Sequence, residues 1–162
     1  MRSFYILATV LVLSYSTEAQ IQPDYILETI NNCSACRADT FHIEQNNFEI
    51  RYYQDSDSTI PLGMLHLYHD TIIYCSWHEK SGDIEYGFSF REDGSILKQR
   101  IRIKGATISL IYYWENGRIG KIENYDDSLH CSNGWHTEFN RMGEIVSQEF
   151  YVNGLTTDER NM

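Results

Sequence analysis

Proline is almost absent from this chain: 162 residues carry two, Pro23 and Pro61. Proline has no N–H to give a β-ladder, so its scarcity leaves long stretches free to pair as strands. Basic residues are also few, 13 against 23 acids, for a net charge of −10. That balance repels a polyanion, and no nucleic-acid partner is expected. Neither a glycine-rich phosphate loop nor a nucleophile elbow occurs, so no motif points to nucleotide chemistry or a serine hydrolase. Beyond Leu13 no apolar run approaches the roughly 20 residues that cross a bilayer as a helix.

The one apolar run lies at the start. Arg2 supplies a positive charge, Phe4 to Leu13 is apolar, and Thr17-Glu18-Ala19 offers a small residue for cleavage. This pattern predicts a signal peptide over residues 1–19, with no transmembrane segment left after its removal and a secreted or periplasmic product. No cysteine closely follows the run, so a lipid-anchored product is not expected. Cleavage removes one base and one acid, Arg2 and Glu18, which leaves the net charge at −10.

Four cysteines follow: Cys33, Cys36, Cys75 and Cys131. An exported chain meets oxidising conditions, and four cysteines allow two disulfides in three connectivities. In a sequential meander Cys75 and Cys131 would be several strands apart at about 4.8 Å each, too far to bridge. Cys75 is therefore expected to pair with Cys33 or Cys36; the alternative is a Cys33–Cys36 bridge with Cys75 free. Cys33-x-x-Cys36 follows a predicted helix, where the dipole disfavours a thiolate, so a structural role is expected over a redox one.

Pro23 to Asn32 reads as a short helix, with Ile26, Leu27 and Ile30 on one side. Phe41–Glu44, Phe48–Tyr53, Leu62–Tyr68 and Ile72–His78 read as strands. Ser81-Gly82, Asp93-Gly94, Lys104-Gly105, Asn116-Gly117, Met142-Gly143 and Asn153-Gly154 then punctuate the chain as turns. Residues 126–134 form a longer polar loop, and residues 156–162 read as a frayed tail. The predicted organisation is a helix with capping strands over residues 20–60 and a repeat sheet over residues 61–155.

An internal repeat underlies the second part. An aromatic stands four positions before a glycine and an Ile two after it, at Phe90/Gly94/Ile96, Tyr113/Gly117/Ile119 and Phe139/Gly143/Ile145. The glycines are 23 and 26 residues apart, a period of stacked supersecondary units. For the first hairpin, setting Phe90 opposite Ser95 puts Phe88 against Leu97 and Ile84 against Ile101. The same register sets Glu85 against Arg100 and Asp83 against Arg102, giving an apolar face and a charge-paired face together.

The run aromatic-x-x-[Asn/Asp]-Gly-x-Ile with a later aromatic resembles the bacterial MORN-repeat variant family. Tyr113-Trp-Glu-Asn-Gly117-Arg-Ile119 with Tyr125 is the clearest copy, and Phe139 to Gly154 is another. The Phe90 to Gly105 copy lacks the late aromatic, and Ser128 stands where the Tyr113 copy should close with glycine. The resemblance covers about residues 85–154. It implies β-hairpins side by side in an elongated sheet, an interaction or scaffold role, and no catalytic residues.

The remaining constellations have plain readings. His66-x-x-His69 and His130 with His136 lack a ligand signature, and Asp55-x-Asp57-x-Thr59 lacks the glycine and glutamate of a calcium loop. No metal and no cofactor is expected. Lys98, Arg100, Arg102 and Lys104 form a basic stripe that could hold an acidic partner or pair across strands. Tyr112, Tyr113 and Trp114, with Trp77 and Trp135, could form an aromatic platform. The predicted binding residues are Lys98, Arg100, Arg102, Tyr113, Trp114 and Trp135. The predicted fold is all-β: an antiparallel meander of repeated β-hairpins in an open twisted sheet, with a short N-terminal helix. One edge is expected to be capped by residues 21–60 and the other, near 144–152, to recruit a strand. The predicted function is a secreted, non-enzymatic protein-binding or scaffold module, or alternatively a glycan-binding accessory domain.

Overall fold

The computed structural model describes residues 24, 27–29, 32, 37–44, 47–53, 61–79, 83–126 and 131–161. The predicted signal peptide, Cys33-x-x-Cys36, the Asp55 stretch, Ser81-Gly82 and His130 lie outside them. Eleven strands form one antiparallel sheet in strict chain order. They are β1 (Arg37–Glu44), β2 (Asn47–Tyr53), β3 (Pro61–Tyr68), β4 (Thr71–His78), β5 (Ile84–Phe90) and β6 (Ile96–Ile103). These continue as β7 (Ala106–Tyr113), β8 (Ile119–Asn124), β9 (Gly134–Phe139), β10 (Ile145–Val152) and β11 (Leu155–Asn161). The expected all-β hairpin meander is the observed fold. Asp24 and Leu27 to Thr29 are helical, and Asn32 N–H donates to Glu28 O at 2.9 Å.

Strands β1 and β2 extend the sheet beyond β3. Two expectations are corrected. The tail is not frayed: β11 pairs with β10 from Val152↔Leu155 to Ser147↔Asn161, so β11 rather than residues 144–152 is the outer strand at that end. Its polar composition, Leu-Thr-Thr-Asp-Glu-Arg-Asn, is that of an edge strand, whose charges discourage further pairing. Cys75 is a free, fully buried thiol opposite Leu65 and Phe88, and Cys131 is free as well. Cys75 occupies an inward strand position, enclosed by core side chains, and burial pushes its thiol pKa up to about 12.

One row crosses the whole sheet: Thr40, Ile50, Leu65, Cys75, Phe88, Gln99, Ile111, Ile122, Thr137, Gln148 and Arg160. Residues directly opposite one another share a face, so this row marks one side of the sheet, the Phe88 face. Its core is Leu65, Cys75, Tyr86 and Phe88, with Leu27 of the helical segment and Trp77, Ile84 and Ile101 packed against it. The neighbouring row points to the other side, the Arg100 face: Phe41, Glu49, His66, Tyr74, Ser89, Lys98, Tyr112, Lys121, Glu138 and Ser147.

The sequence repeat is a repeated turn. Arg91 N donates to Ser95 O, Trp114 N to Arg118 O and Asn140 N to Glu144 O, at 2.8–2.9 Å. In each, the glycine N–H closes the turn, from Gly94 to Arg91 O, Gly117 to Trp114 O and Gly143 to Asn140 O. The three glycines have φ of 81°, 78° and 89°, a region that penalises any Cβ. A register shift accompanies each turn, at Ser89/Phe90, Tyr112/Tyr113 and Ile145/Ser147. The turns at the other strand ends have positive φ at two consecutive residues, His69-Asp70, Lys104-Gly105 and Asn153-Gly154, as a two-residue type I′ hairpin requires.

Successive repeat turns are stapled to one another. Arg91 donates to Tyr113 O, and the residue one repeat later, Trp114, donates its indole N–H to Phe139 O at 3.1 Å. In both cases the position after the repeat aromatic reaches the carbonyl of the next repeat's aromatic. Asn116 adds a bond to Arg141 O at 2.9 Å, Arg118 bonds Met142 O, and Arg141 pairs with Glu115 at 3.2 Å.

Candidate functional site

The first hairpin places Glu85 opposite Arg102 and Phe88 opposite Gln99, two residues from the expected register. Phe90 pairs with Ile96 rather than Ser95, which accounts for one residue, and the shift at Ser89/Phe90 accounts for the other. A slip of two preserves both faces, because side chains alternate with period two. Glu85, with 10% of its side chain exposed, therefore still receives Arg100 at 3.4 Å and Arg102 at 3.1 Å. Arg100 also donates to the Tyr74 hydroxyl at 2.9 Å, and Tyr74 donates to Glu85 at 3.2 Å. The Tyr74 ring passes over Gly87, where a Cβ would overlap its hydroxyl. This close approach explains a glycine in the middle of β5. Asp83 is not opposite Arg102, and its carbonyl instead accepts from Lys104 N at 2.7 Å.

The other predicted binding residues do not converge. Lys98, Arg100 and Arg102 share the Arg100 face. Tyr113 is buried on the Phe88 side with its hydroxyl donated to Gln99 at 2.9 Å, and burial pushes its pKa up to about 12. Trp114 sits in a turn against Gly120, with the Arg141 guanidinium 5.5 Å from its ring centroid. Trp135 stacks against Phe150 at 5.1 Å and lies under Arg160 at 4.7 Å. One face of each indole thus carries a guanidinium, and the three aromatics form no common platform.

A second polar cluster lies on the same face as Arg100, beginning two strands further on. Lys121 and Glu123 of β8, His136 and Glu138 of β9, and Ser147, Glu149 and Tyr151 of β10 line a hollow of about 200 Å³ with Tyr125 and Ser132. Alternation alone puts them together, since each strand supplies every second residue. Lys121 lies opposite Glu138, and His136 opposite Glu149. Lys121 Nζ bridges Glu123 at 3.0 Å and Glu138 at 3.3 Å. The Tyr125 hydroxyl donates to Glu123 at 2.8 Å, and Tyr151 donates to Glu149. His136 is buried, its Nε2 is 2.9 Å from Asn124 O, and its ring lies 4.4 Å from Tyr151. Sequence reasoning missed this cluster, although the pattern Lys121-x-Glu123, His136-x-Glu138, Ser147-x-Glu149-x-Tyr151 was there to find.

The hollow holds three carboxylates against one ammonium. Burial raises the Glu123 pKa, but the Tyr125 hydroxyl and Lys121 outweigh it and hold the group below its ordinary 4.5. Bonding to Glu123 raises Lys121, while burial and Glu123 raise Tyr125. A depressed carboxylate pKa adds stability above its unfolded value, and that stability is lost as pH falls through the folded value. Glu123→Gln is therefore expected to flatten the fall in urea midpoint as pH drops below about 4.5. An unchanged slope in the variant would remove Glu123 from the acid transition.

Among the described residues no group of three or more His, Cys, Asp or Glu is placed to hold a metal, and no helix is long and apolar enough to cross a membrane. Together these features define a single-layer antiparallel repeat sheet with one charge-patterned face. No protein-family profile matches the chain, and no curated protein matches it. Among solved structures it is similar to S. aureus TarM. One TarM crystal structure, a mutant with fondaparinux, alpha-GlcNAc-glycerol and UDP, gives 10% identity over 91% of this chain and a TM-score of 0.47. A second TarM structure gives 11% identity over 92% and a TM-score of 0.46. The chain spans 25% of the length of these proteins.

Proposed function

We propose that this chain is an exported, non-enzymatic protein-binding module that takes up an extended partner segment along β1. The observation that carries the reading is the state of that edge. Among the described strands β1 pairs with β2 alone, and it contains no proline. It leaves Phe41 40% and Ile43 47% exposed. A row of open N–H and C=O groups beside exposed apolar side chains is the template that strand addition uses. The opposite edge carries its charges at three consecutive positions, Asp158, Glu159 and Arg160, whereas those of β1, Arg37, Asp39 and Glu44, leave Phe41 and Ile43 between them.

Export is supported by the leader pattern of residues 1–19. The resemblance to the MORN-repeat variant family, whose members look like interaction modules, supports a binding role. The non-enzymatic reading is supported by the hollow, where Lys121, Tyr125 and Tyr151 are committed to the carboxylates.

The test is affinity capture from the native secretion fluid, with the parent chain and a Phe41→Lys/Ile43→Lys edge variant as baits. A protein enriched by the parent and lost with the variant is the expected result. Equal enrichment by both baits would remove the edge from the contact, and no enrichment by either would overturn the binding role.

A further inference from the structure

The Arg100 face is electrostatically two-sided. On β6, Arg100 and Arg102 both pair with Glu85, and Lys98 on the same face makes no ion pair with a described residue. On β8 to β10, Glu123, Glu138 and Glu149 face a single ammonium, Lys121. Between them lies β7, which brings Leu110 and Tyr112 to the same face. A surplus of bases and a surplus of acids thus flank a less polar strip.

The register makes one row of this pattern self-complementary. Lys98, Tyr112, Lys121 and Glu138 lie in one row across four consecutive strands. A two-fold axis parallel to the strands, between β7 and β8, lays this face on its copy and reverses the row. Lys98 then meets Glu138 of the second copy, and Glu138 meets the second Lys98. Tyr112 meets Lys121 in the same reciprocal way, ring against ammonium. Such a two-fold contact is isologous, and each pair is made twice. Glu138 is 49% exposed and Lys121 37%, so both reach beyond the sheet surface.

We infer that the Arg100 face is a homodimer interface, a second copy of this chain seated with its β6 stripe over the acidic hollow. Each copy carries a net charge of −10, so the pairing works against long-range repulsion. It is held by contacts within the Debye length, about 8 Å at physiological salt. The surface differs from the β1 edge, so the inference does not depend on the proposed binding role.

Sedimentation velocity on the purified chain, from about 1 to 100 μM in 0.15 M salt, is the first measurement. A concentration-dependent dimer is expected. Lys98→Glu and Glu138→Lys should each abolish it, and an equimolar mixture of the two variants should restore it, because every contact between unlike variants is again of opposite charge. In the unmodified chain, a carbodiimide bridge between Lys98 and Glu138 should join light and 15N-labelled copies, a readout that does not depend on how any variant folds. A parent chain that stays monomeric would overturn the interface. So would a dimer that survives both charge reversals, or cross-linked copies with no Lys98–Glu138 bridge.

Discussion

Phe88→Ala is expected to cost about 3–5 kcal/mol, the range for emptying a large aromatic site in a core. Phe88 is 1% exposed and lies between Cys75 and Gln99 in the row that crosses the sheet. Few side chains are fully buried among the described residues, so neighbours that could close the cavity are scarce. Chemical denaturation reads the loss directly. Alkylation adds a local readout: in the parent Cys75 is fully buried with its pKa pushed up to about 12, so it should label only on unfolding. In the variant it should label faster than unfolding allows. A loss under about 1 kcal/mol would mean that Phe88 does not anchor the core.

Trp114→Ala is expected to cost about 2–3 kcal/mol, less than a fully buried tryptophan because the ring is only half buried. Its distinguishing effect is spatial. The indole covers Gly120 and donates to Phe139 O, while Arg141 stacks on it. Removing it takes out a side-chain staple between the second and third repeat turns. Amide exchange at residues 140–144 should therefore accelerate while the His69-Asp70 hairpin keeps its protection. Uniform acceleration across both hairpins would show that Trp114 supports the sheet as a whole rather than the junction between repeats.

Much of the fold was legible because turns in this chain carry their chemistry on the surface of the sequence. Gly94, Gly117 and Gly143 mark positions with positive φ, and aromatic or β-branched residues fill the intervals. Face assignment survived an error in register because the error was two residues, an even number. The turn around Gly94 was visible, but neither the pairing of Phe90 with Ile96 nor the shift at Ser89/Phe90 leaves a residue-type signature. The hollow was hidden for a related reason. Its assembly depends on how β8 meets β9, and nothing local in the sequence between the two strands fixes the pairing of Lys121 with Glu138. Polarity misled at Leu155–Asn161, where charge marks an edge strand rather than a loose end. The aromatic platform failed because Tyr113, Trp114 and Trp135 satisfy three separate local needs: a buried bond to Gln99, a staple to Phe139, and a stack on Phe150.

Strict chain order in the sheet has a kinetic consequence. Each strand pairs only with its neighbours in sequence, so ordering the sheet requires no closure of a long loop between distant segments. A chain of such low contact order can assemble by zipping outward from whichever hairpin forms first, and its stability resembles a sum over neighbouring units. Loss of order then starts at the two ends, β1 and β11, and travels inward one strand at a time.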